Sequence, residues 1–385
     1  MKTGLDRLRR EMLPGKCIGL LSHYAAVNSQ YRLSVDVLAG RDGIELTALF
    51  GPQHGFYGET QDNMIEWEGY THPDYGIPVH SLYGKTRIPS SEMLEGLDCL
   101  VVDLQDVGAR YYTYVYTMAY CMKKCSDLGI PVVILDRPNP LGNSIIEGKP
   151  LLPGYESFVG LYPIPVRHAL TIGELARLFA RFDGAPEPMV IEMTGWDGQG
   201  ISDDYAWVYP SPNMPTSETA LVYPGMCLLE ATNLSEGRGT TRPFNVFGAP
   251  WIDGKALCSR LNGTIWTEGA VLRPHAFLPT FNKHSGVMCY GAEIHVIDRS
   301  CFRSLRMALG ILLETFRYSQ TRWNPPPYEY EYERMPVDIL AGSSEVREAV
   351  KTVNESILIE LSEGDPAGHA EQTRGVLLYD REFCI

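Results

Sequence analysis

The chain carries 385 residues, with 33 Lys and Arg against 47 Asp and Glu and a formal net charge of -14. That balance excludes a general binder of nucleic acid or of anionic membrane surfaces, which needs a basic face. It leaves room for an acidic small molecule held by a local arginine cluster. The length exceeds what one core usually serves, which predicts two domains. No apolar run approaches the ~18 residues of a membrane span. Nine cysteines, an odd number without a C-x-x-C pair, predict free thiols in a reducing compartment. Cys121 and Cys125, four apart, read as small buried hydrophobes rather than a ligand pair. Residues 1–10 lack the apolar stretch of a signal peptide, so a cytoplasmic location is the expectation.

In chain order, residues 17–21 read as a first strand, 33–38 as a short helix, 44–50 as a second strand and 77–82 as a weaker one. Residues 99–102 and 132–135 are near-continuous apolar runs, which suit parallel strands buried on both faces. Between them, Val115, Met118, Ala119 and Met122 recur at i, i+3, i+4 and i+7 and predict a helix over 113–128. Thr171, with Glu174 three residues on, is a capping box opening a helix over 172–182. This alternation predicts an α/β fold with a doubly wound, mostly parallel sheet. Three prolines in 209–215 mark a boundary, giving an N-terminal domain over 1–210 and a smaller α+β domain over 211–385. In the second part, 221–232 reads as partly helical, 288–297 as a strand and 302–316 as an amphipathic helix. Residues 324–333, rich in Pro, Tyr and Glu, read as an extended surface segment. Residues 356–361 read as a strand and 366–374 as a helix.

Ligands of open α/β sheets bind outside the carboxyl ends of the strands. Here those ends are polar: Ser22-His23-Tyr24, then Gly51-Pro-Gln-His-Gly55 with Glu59 close behind. Asp103-Leu-Gln105-Asp106 follows, running into Arg110, Tyr111, Tyr112 and Tyr114. The fourth is Asp136-Arg-Pro-Asn139-Pro140. His168 is a further candidate for this rim. Each has a plainer reading. Asp103 can cap a helix, Asp136 can pair with Arg137 in a rigid turn, His168 can be a satisfied buried histidine, and the tyrosines can pack a helix start. A metal site built from Asp103, Asp106 and His54 is the weaker alternative, and neither a metal nor a cofactor is expected. G-x-G-x-x-G after the first strand, G-x-x-x-x-G-K-[ST], G-x-S-x-G and H-E-x-x-H are all missing, which argues against dinucleotide, phosphate-loop, serine-hydrolase and zincin chemistry.

The densest cluster of chemistry is Asn233-Leu-Ser-Glu236-Gly-Arg238-Gly-Thr-Thr241-Arg242-Pro243. Its glycines allow sharp turns close to a ligand. Arg238 and Arg242 offer planar forks for a carboxylate or phosphate, and Glu236 can orient them or accept hydroxyls. A solvated loop with internal ion pairs is the plainer reading. Tyrosines beside polar groups suit a sugar, whose ring faces stack on aromatics while its hydroxyls bond to phenols.

Gly51-Pro-Gln-His-Gly-Phe-Tyr-Gly58, the run from Asp103 to Tyr114, Asp136-Arg-Pro-Asn-Pro-Leu-Gly142 and the block from Asn233 to Pro243 together resemble the NamZ family of exo-β-N-acetylmuramidases, formerly a domain of unknown function (DUF1343). The resemblance runs from about Lys16 to the C-terminus. It implies a Rossmann-like N-terminal domain, a smaller C-terminal domain and a cleft between or beside them. It also implies release of N-acetylmuramic acid from the non-reducing end of peptidoglycan fragments, so the partner is a small saccharide or muropeptide. The lactyl carboxylate of that sugar would fall to Arg110, Arg238 or Arg242. Asp103, Gln105, Tyr111, Asn139, Glu147, Asn233 and Thr241 would complete the binding set.

The family motif usually has Glu where this chain has Gln53, and that Glu is its favoured catalytic acid. An amide cannot donate a proton as a carboxylic acid does, and glycoside hydrolysis commonly uses two carboxyl groups. Glu59, Asp106, Glu147 and Glu236 are the candidates to take over. Glu59 or Glu236 would be the proton donor, Gln53 and His54 would orient groups at the anomeric centre, and Asp106 would give hydrogen-bonding support. A substrate-assisted route through the N-acetyl group, a relative that binds muramyl sugars without cutting them, and a hydrolase that acts on a different sugar are the open alternatives.

Overall fold

The buried apolar runs become the centre of a seven-stranded sheet. The computed structural model describes residues 1–62, 64–200, 205 and 207–385. The strands are β1 (Cys17–Ser22), β2 (Glu45–Gly51), β3 (Tyr70–Thr71), β4 (Pro78–Ser81), β5 (Cys99–Asp103), β6 (Val132–Leu135) and β7 (Met189–Ile191), in the order β3-β4-β2-β1-β5-β6-β7. All neighbours pair in parallel except β3 and β4. Every residue of β5 and β6 is buried, as expected of strands covered on both faces. The expected mostly parallel sheet is present. Its crossover order places the C-terminal ends of β1, β2 and β5 side by side.

Two helices show how local sequence sets this frame. The helix Tyr114–Leu128 ends at Gly129, whose φ of 69° takes the left-handed turn that stops it. The helix Ile172–Asp183 is opened by the full capping box: Thr171 Oγ1 accepts from Glu174 N at 3.3 Å, and Glu174 Oε2 accepts from Thr171 N at 2.9 Å. Asp136, at the end of β6, accepts from Thr171 Oγ1 (2.9 Å) and Gly173 N (2.8 Å). It anchors the helix N-terminus.

A second, antiparallel sheet has the order β8-β10-β9, from β8 (Val246–Ala249), β9 (Ala270–Phe277) and β10 (Cys289–Val296). The helices Ser217–Met226 and Ser304–Thr315 cross in contact. Glycine is required there, because a Cβ on Gly225 would sit 1.9 Å from Ser304 O. One hydrophobic core joins both parts, from Val102 in β5 to Leu309 in the second of these helices. The C-terminal tail returns to the large sheet: Tyr379 Oη donates to Asp136 Oδ2 at 2.7 Å, and Arg381 pairs with Glu174.

One element is corrected. Residues 356–361, expected as a strand, lie in the helix Glu355–Ser362. The apolar run does not distinguish the two states, but Asn354 Oδ1 accepts from Ile357 N at 3.2 Å and caps a helix. The two buried residues, Leu358 and Ser362, are one helical turn apart. Among the described residues no helix is long and apolar enough to cross a membrane.

Candidate active site

The chain leaves β2 and turns at once. His54 has φ 72° and Gly55 φ 92°, so two left-handed residues bend the backbone and leave Gln53 and His54 at the sheet's C-terminal rim. Further segments meet them around one pocket, with Val159 and Tyr223 also in its walls. The segments are Tyr111–Tyr114 at the start of the long helix, 211–214, Glu230 with Arg238 and Phe244, and Tyr328 with Glu329. The cavity is about 40 Å³, close to one water's share of liquid volume (about 30 Å³). A wider cleft of about 490 Å³ lies alongside, lined by Gln61, Gly239, Thr241, Arg242, His275 and Phe281. Asn213 Nδ2 donates to Gln61 O at 2.7 Å, one contact between the two spaces.

Gln53 is held at both ends. Thr113 Oγ1 donates to its Oε1 at 2.7 Å, while its Nε2 donates to Glu329 Oε1 at 3.2 Å and to Tyr83 Oη at 3.1 Å. Tyr83 Oη in turn donates to Glu329 Oε2 at 2.8 Å. Glu329 is only 4% exposed. Burial pushes its carboxyl above the ordinary range and the charge of Glu230 adds to that, against the bonds from Tyr83 and Gln53. His54 donates through Nδ1 to Thr60 O at 2.7 Å. Burial lowers its pKa to about 4, and the Arg238 charge works in the same direction, so the imidazole is neutral at pH 7.

Glu230 takes charged and neutral donors together: Arg238 Nη2 at 2.7 Å and Tyr328 Oη at 2.8 Å. Arg238 Nε also lies 3.2 Å from Glu236 Oε1, and Lys283 Nζ donates to Glu236 Oε2 at 2.8 Å. Burial works to raise the Glu236 carboxyl, but Lys283 and Arg238 outweigh it and hold it below the usual range. Arg238 Nη1 is buried without a hydrogen-bond partner among the described residues. It is an unspent charged donor on a residue that lines the pocket.

Of the residues singled out by sequence, Gln53, His54, Tyr111, Tyr112, Tyr114 and Arg238 line this pocket. Tyr111 turns its hydroxyl to Pro224 O at 2.6 Å, so its ring and not its phenol faces the cavity wall. The others lie elsewhere, each for a visible reason. Glu59 is exposed, folded back against Gly55 and accepting from Tyr57 N at 3.0 Å. Asp103 is locked to Arg137 by two bonds of 2.6 and 2.9 Å. Gln105 bonds to Asp106 O, Pro138 O and Tyr205. Asp106 accepts from Gly108 N at 2.7 Å and lies 3.2 Å from His168 Nε2. Arg110, expected to read a carboxylate, spends its guanidinium on the carbonyls of Lys149, Ile164 and Leu340. Asn139 shapes its own turn through Leu141 N and Leu170 O. Glu147 pairs with Arg167 at 3.1 Å and caps Leu305 N. Asn233 ties its loop to Gln320 O and Arg322 N. Thr241 and Arg242 line the wider cleft, and Arg242 also pairs with Glu218 at 3.3 Å. The trio weighed as a metal site is dispersed, and no cluster of three or more His, Cys, Asp or Glu side chains fit for a metal gathers among the described residues.

The pocket also contains carboxylates that the sequence reading passed over. Tyr328 and Glu329 belong to the segment expected on the surface, yet both are buried. Positive φ at Glu329 (44°) and Tyr330 (67°) turns the chain so that Glu329 faces inward. Glu230 carried a signal of its own: one acidic residue inside the apolar run Cys227-Leu-Leu-Glu-Ala231 is either paired or functional.

The family model for the N-terminal part of exo-β-N-acetylmuramidase NamZ matches residues 18–218, and the model for its C-terminal part matches residues 221–379. The peptidoglycan β-N-acetylmuramidase NamZ of Bacillus subtilis (strain 168) is 44% identical over 358 residues, covering 91% of this chain and 84% of the relative. Two crystal structures of DUF1343 family proteins from Bacteroides fragilis NCTC 9343 share the fold. One has a TM-score of 0.85 at 28% identity, covering 98% of this chain and 99% of the other. The second has a TM-score of 0.74 at 26% identity, covering 98% of each. The chain belongs to the NamZ family.

Proposed function

We propose that this chain is a glycosidase that releases N-acetylmuramic acid from the non-reducing end of peptidoglycan fragments. One observation carries the reading. The kinship with a peptidoglycan β-N-acetylmuramidase runs through both parts of the chain, and both parts supply walls to the same pocket. Replacing the family's glutamate by Gln53 does not empty the pocket of carboxyl groups, because Glu230 and Glu329 line it. Two such groups are what glycoside hydrolysis commonly requires.

The recognition chemistry fits the same substrate. The distinctive group of muramic acid is its lactyl carboxylate, and Arg238 Nη1 is a buried charged donor without a hydrogen-bond partner among the described residues. Tyr111, Tyr112, Tyr223 and Phe244 supply aromatic walls, which suit the apolar faces of a sugar ring. The wider cleft beyond Asn213 and Gln61 gives room for the rest of a fragment.

Incubating the full chain with a chromogenic N-acetylmuramide and with a muramyl disaccharide tests this. Release of the chromophore and of free N-acetylmuramic acid is expected. Tight binding of the sugar by calorimetry without any release would overturn the hydrolase reading and leave a binding protein.

A further inference from the structure

We propose that Glu329 is the proton donor to the departing glycosidic oxygen, and that Gln53 and Tyr83 are the positioning residues that aim it. This rests on the glycosidase reading above and deepens it. Three carboxylates stand at or beside the pocket, and their surroundings differ in kind. Glu230 has the Arg238 guanidinium at 2.7 Å, and Glu236 has Arg238 at 3.2 Å and Lys283 at 2.8 Å. Glu329 makes no ion pair among the described residues; its hydrogen-bond partners are the amide of Gln53 and the phenol of Tyr83, both neutral, and the nearby cation, Arg87, lies over the rings of Tyr83 and Tyr330 instead of bonding to the carboxyl. A carboxyl group kept out of water among uncharged donors retains its proton far more readily than one beside a cation.

The geometry around Glu329 is built rather than incidental. The backbone takes a positive φ at both Glu329 and Tyr330, a conformation that non-glycine residues rarely adopt. The side chain it turns inward is then gripped at both oxygens. Gln53 is itself fixed from behind by Thr113 at 2.7 Å. The amide at position 53 does not titrate, so it donates a hydrogen bond to the neighbouring carboxyl without competing for its acidic proton.

The reaction balances without any added reagent. The proton on Glu329 passes to the glycosidic oxygen as the bond from that oxygen to the anomeric carbon breaks, and the electron pair leaves with the oxygen. Water then adds to the anomeric carbon and returns one proton to the Glu329 carboxylate. The sum is substrate plus water giving free sugar plus alcohol, with the protein unchanged.

The test compares the full chain with its Glu329→Gln variant on two substrates. One is a muramyl disaccharide, whose leaving alcohol needs a proton. The other is a nitrophenyl N-acetylmuramide, whose leaving group does not. Turnover of the disaccharide is expected to fall about 10²- to 10⁴-fold, turnover of the nitrophenyl glycoside much less, and the basic limb of the pH profile is expected to vanish. An equal fall on both substrates with the basic limb intact, or no fall at all, overturns the proposal. If Glu329→Gln loses its cooperative thermal transition, Glu329→Asp replaces it. The shorter acid must then slow the disaccharide more than the nitrophenyl glycoside while keeping the basic limb, and a uniform loss overturns the assignment. If the unaltered chain cleaves neither substrate, the glycosidase reading itself has failed. If it cleaves both and the variant merely scales them down, only the assignment of Glu329 has.

Discussion

Two groups of buried carboxylates sit at the C-terminal side of the large sheet, and they are held in opposite ways. At the ends of β5 and β6 and in the turns beyond, Asp103 is clamped by Arg137, Asp106 accepts a backbone amide beside His168, and Glu147 is divided between Arg167 and Leu305 N. In the pocket, Glu329 is held by a phenol and an amide, and Arg238 leaves one buried donor unpaired. The first group is closed: its charges are neutralised and its geometry spent on the fold. The second keeps unspent capacity where a ligand can reach it. Both groups look alike in sequence, as acidic residues following strands or turns. Only the partners distinguish scaffold from chemistry.

The sharpest way to break this contrast is to remove a cation from the closed group. Arg137→Met leaves Asp103 buried with no countercharge. Chemical denaturation should show about 3–5 kcal/mol of lost stability, while the activity of the fraction that remains folded changes little. The double variant Asp103→Leu with Arg137→Met should regain much of that loss, since a buried pair replaced by apolar groups is often near neutral. A drop in activity without a drop in stability would move Asp103 out of the scaffold. Next comes Arg238→Met, where substrate binding is expected to fall as well as stability, because Glu230 and Glu236 lose a buried cation. A charged hydrogen bond worth about 1.5–3 kcal/mol predicts a KM for N-acetylmuramides raised roughly ten- to a hundredfold. The same variant should lose little activity on a sugar lacking the lactyl carboxylate, and so most of its discrimination between the two; equal losses on both sugars would separate Arg238 from carboxylate recognition.

Gln53→Glu sharpens the comparison from inside the pocket. It sets a second carboxyl where an amide now lies 3.2 Å from Glu329. The sign follows from like charges. An ionised neighbour disfavours ionisation of Glu329, already raised by burial, so the pair keeps one proton to higher pH. The basic limb of the activity profile should move up by about one unit or more. A limb that stays in place would mean that Glu329 does not set it.

The frame was readable because its causes are local. Continuous apolar runs marked β5 and β6, and a single Thr and Glu three apart fixed where the helix Ile172–Asp183 begins. The rim was readable only in part. A polar residue after a strand says that the side chain is near the right edge, and says nothing about which way it turns. Arg110 illustrates the loss: three carbonyls from residues 149, 164 and 340 claim it, and none of them is near it in sequence. Glu329 was missed for the opposite reason. Its segment alternates Tyr and Glu as a solvated strand does, and it turns inward only because two left-handed residues and the distant Tyr83 and Gln53 receive it. The motif containing Gln53 was legible as chemistry, while the partner that gives the amide its use lies 276 residues away.

The smallest expected effect tests the edge of the pocket rather than its centre. Arg242 stands in the wider cleft, partly exposed, with Glu218 at 3.3 Å and Glu293 at 3.7 Å. Exposed pairs of this kind contribute about 0–1 kcal/mol, so Arg242→Ala should leave the thermal midpoint nearly unchanged. Its effect on a nitrophenyl N-acetylmuramide, which ends at the pocket, should also be slight. If fragments extend along this cleft, KM for a longer, peptide-bearing fragment should rise severalfold, about 1 kcal/mol in binding, with kcat unchanged. Equal KM changes for the short and the long substrate would place Arg242 at the sugar itself. No change for either would remove the cleft from the substrate's path and confine recognition to the walls around Arg238 and Glu329.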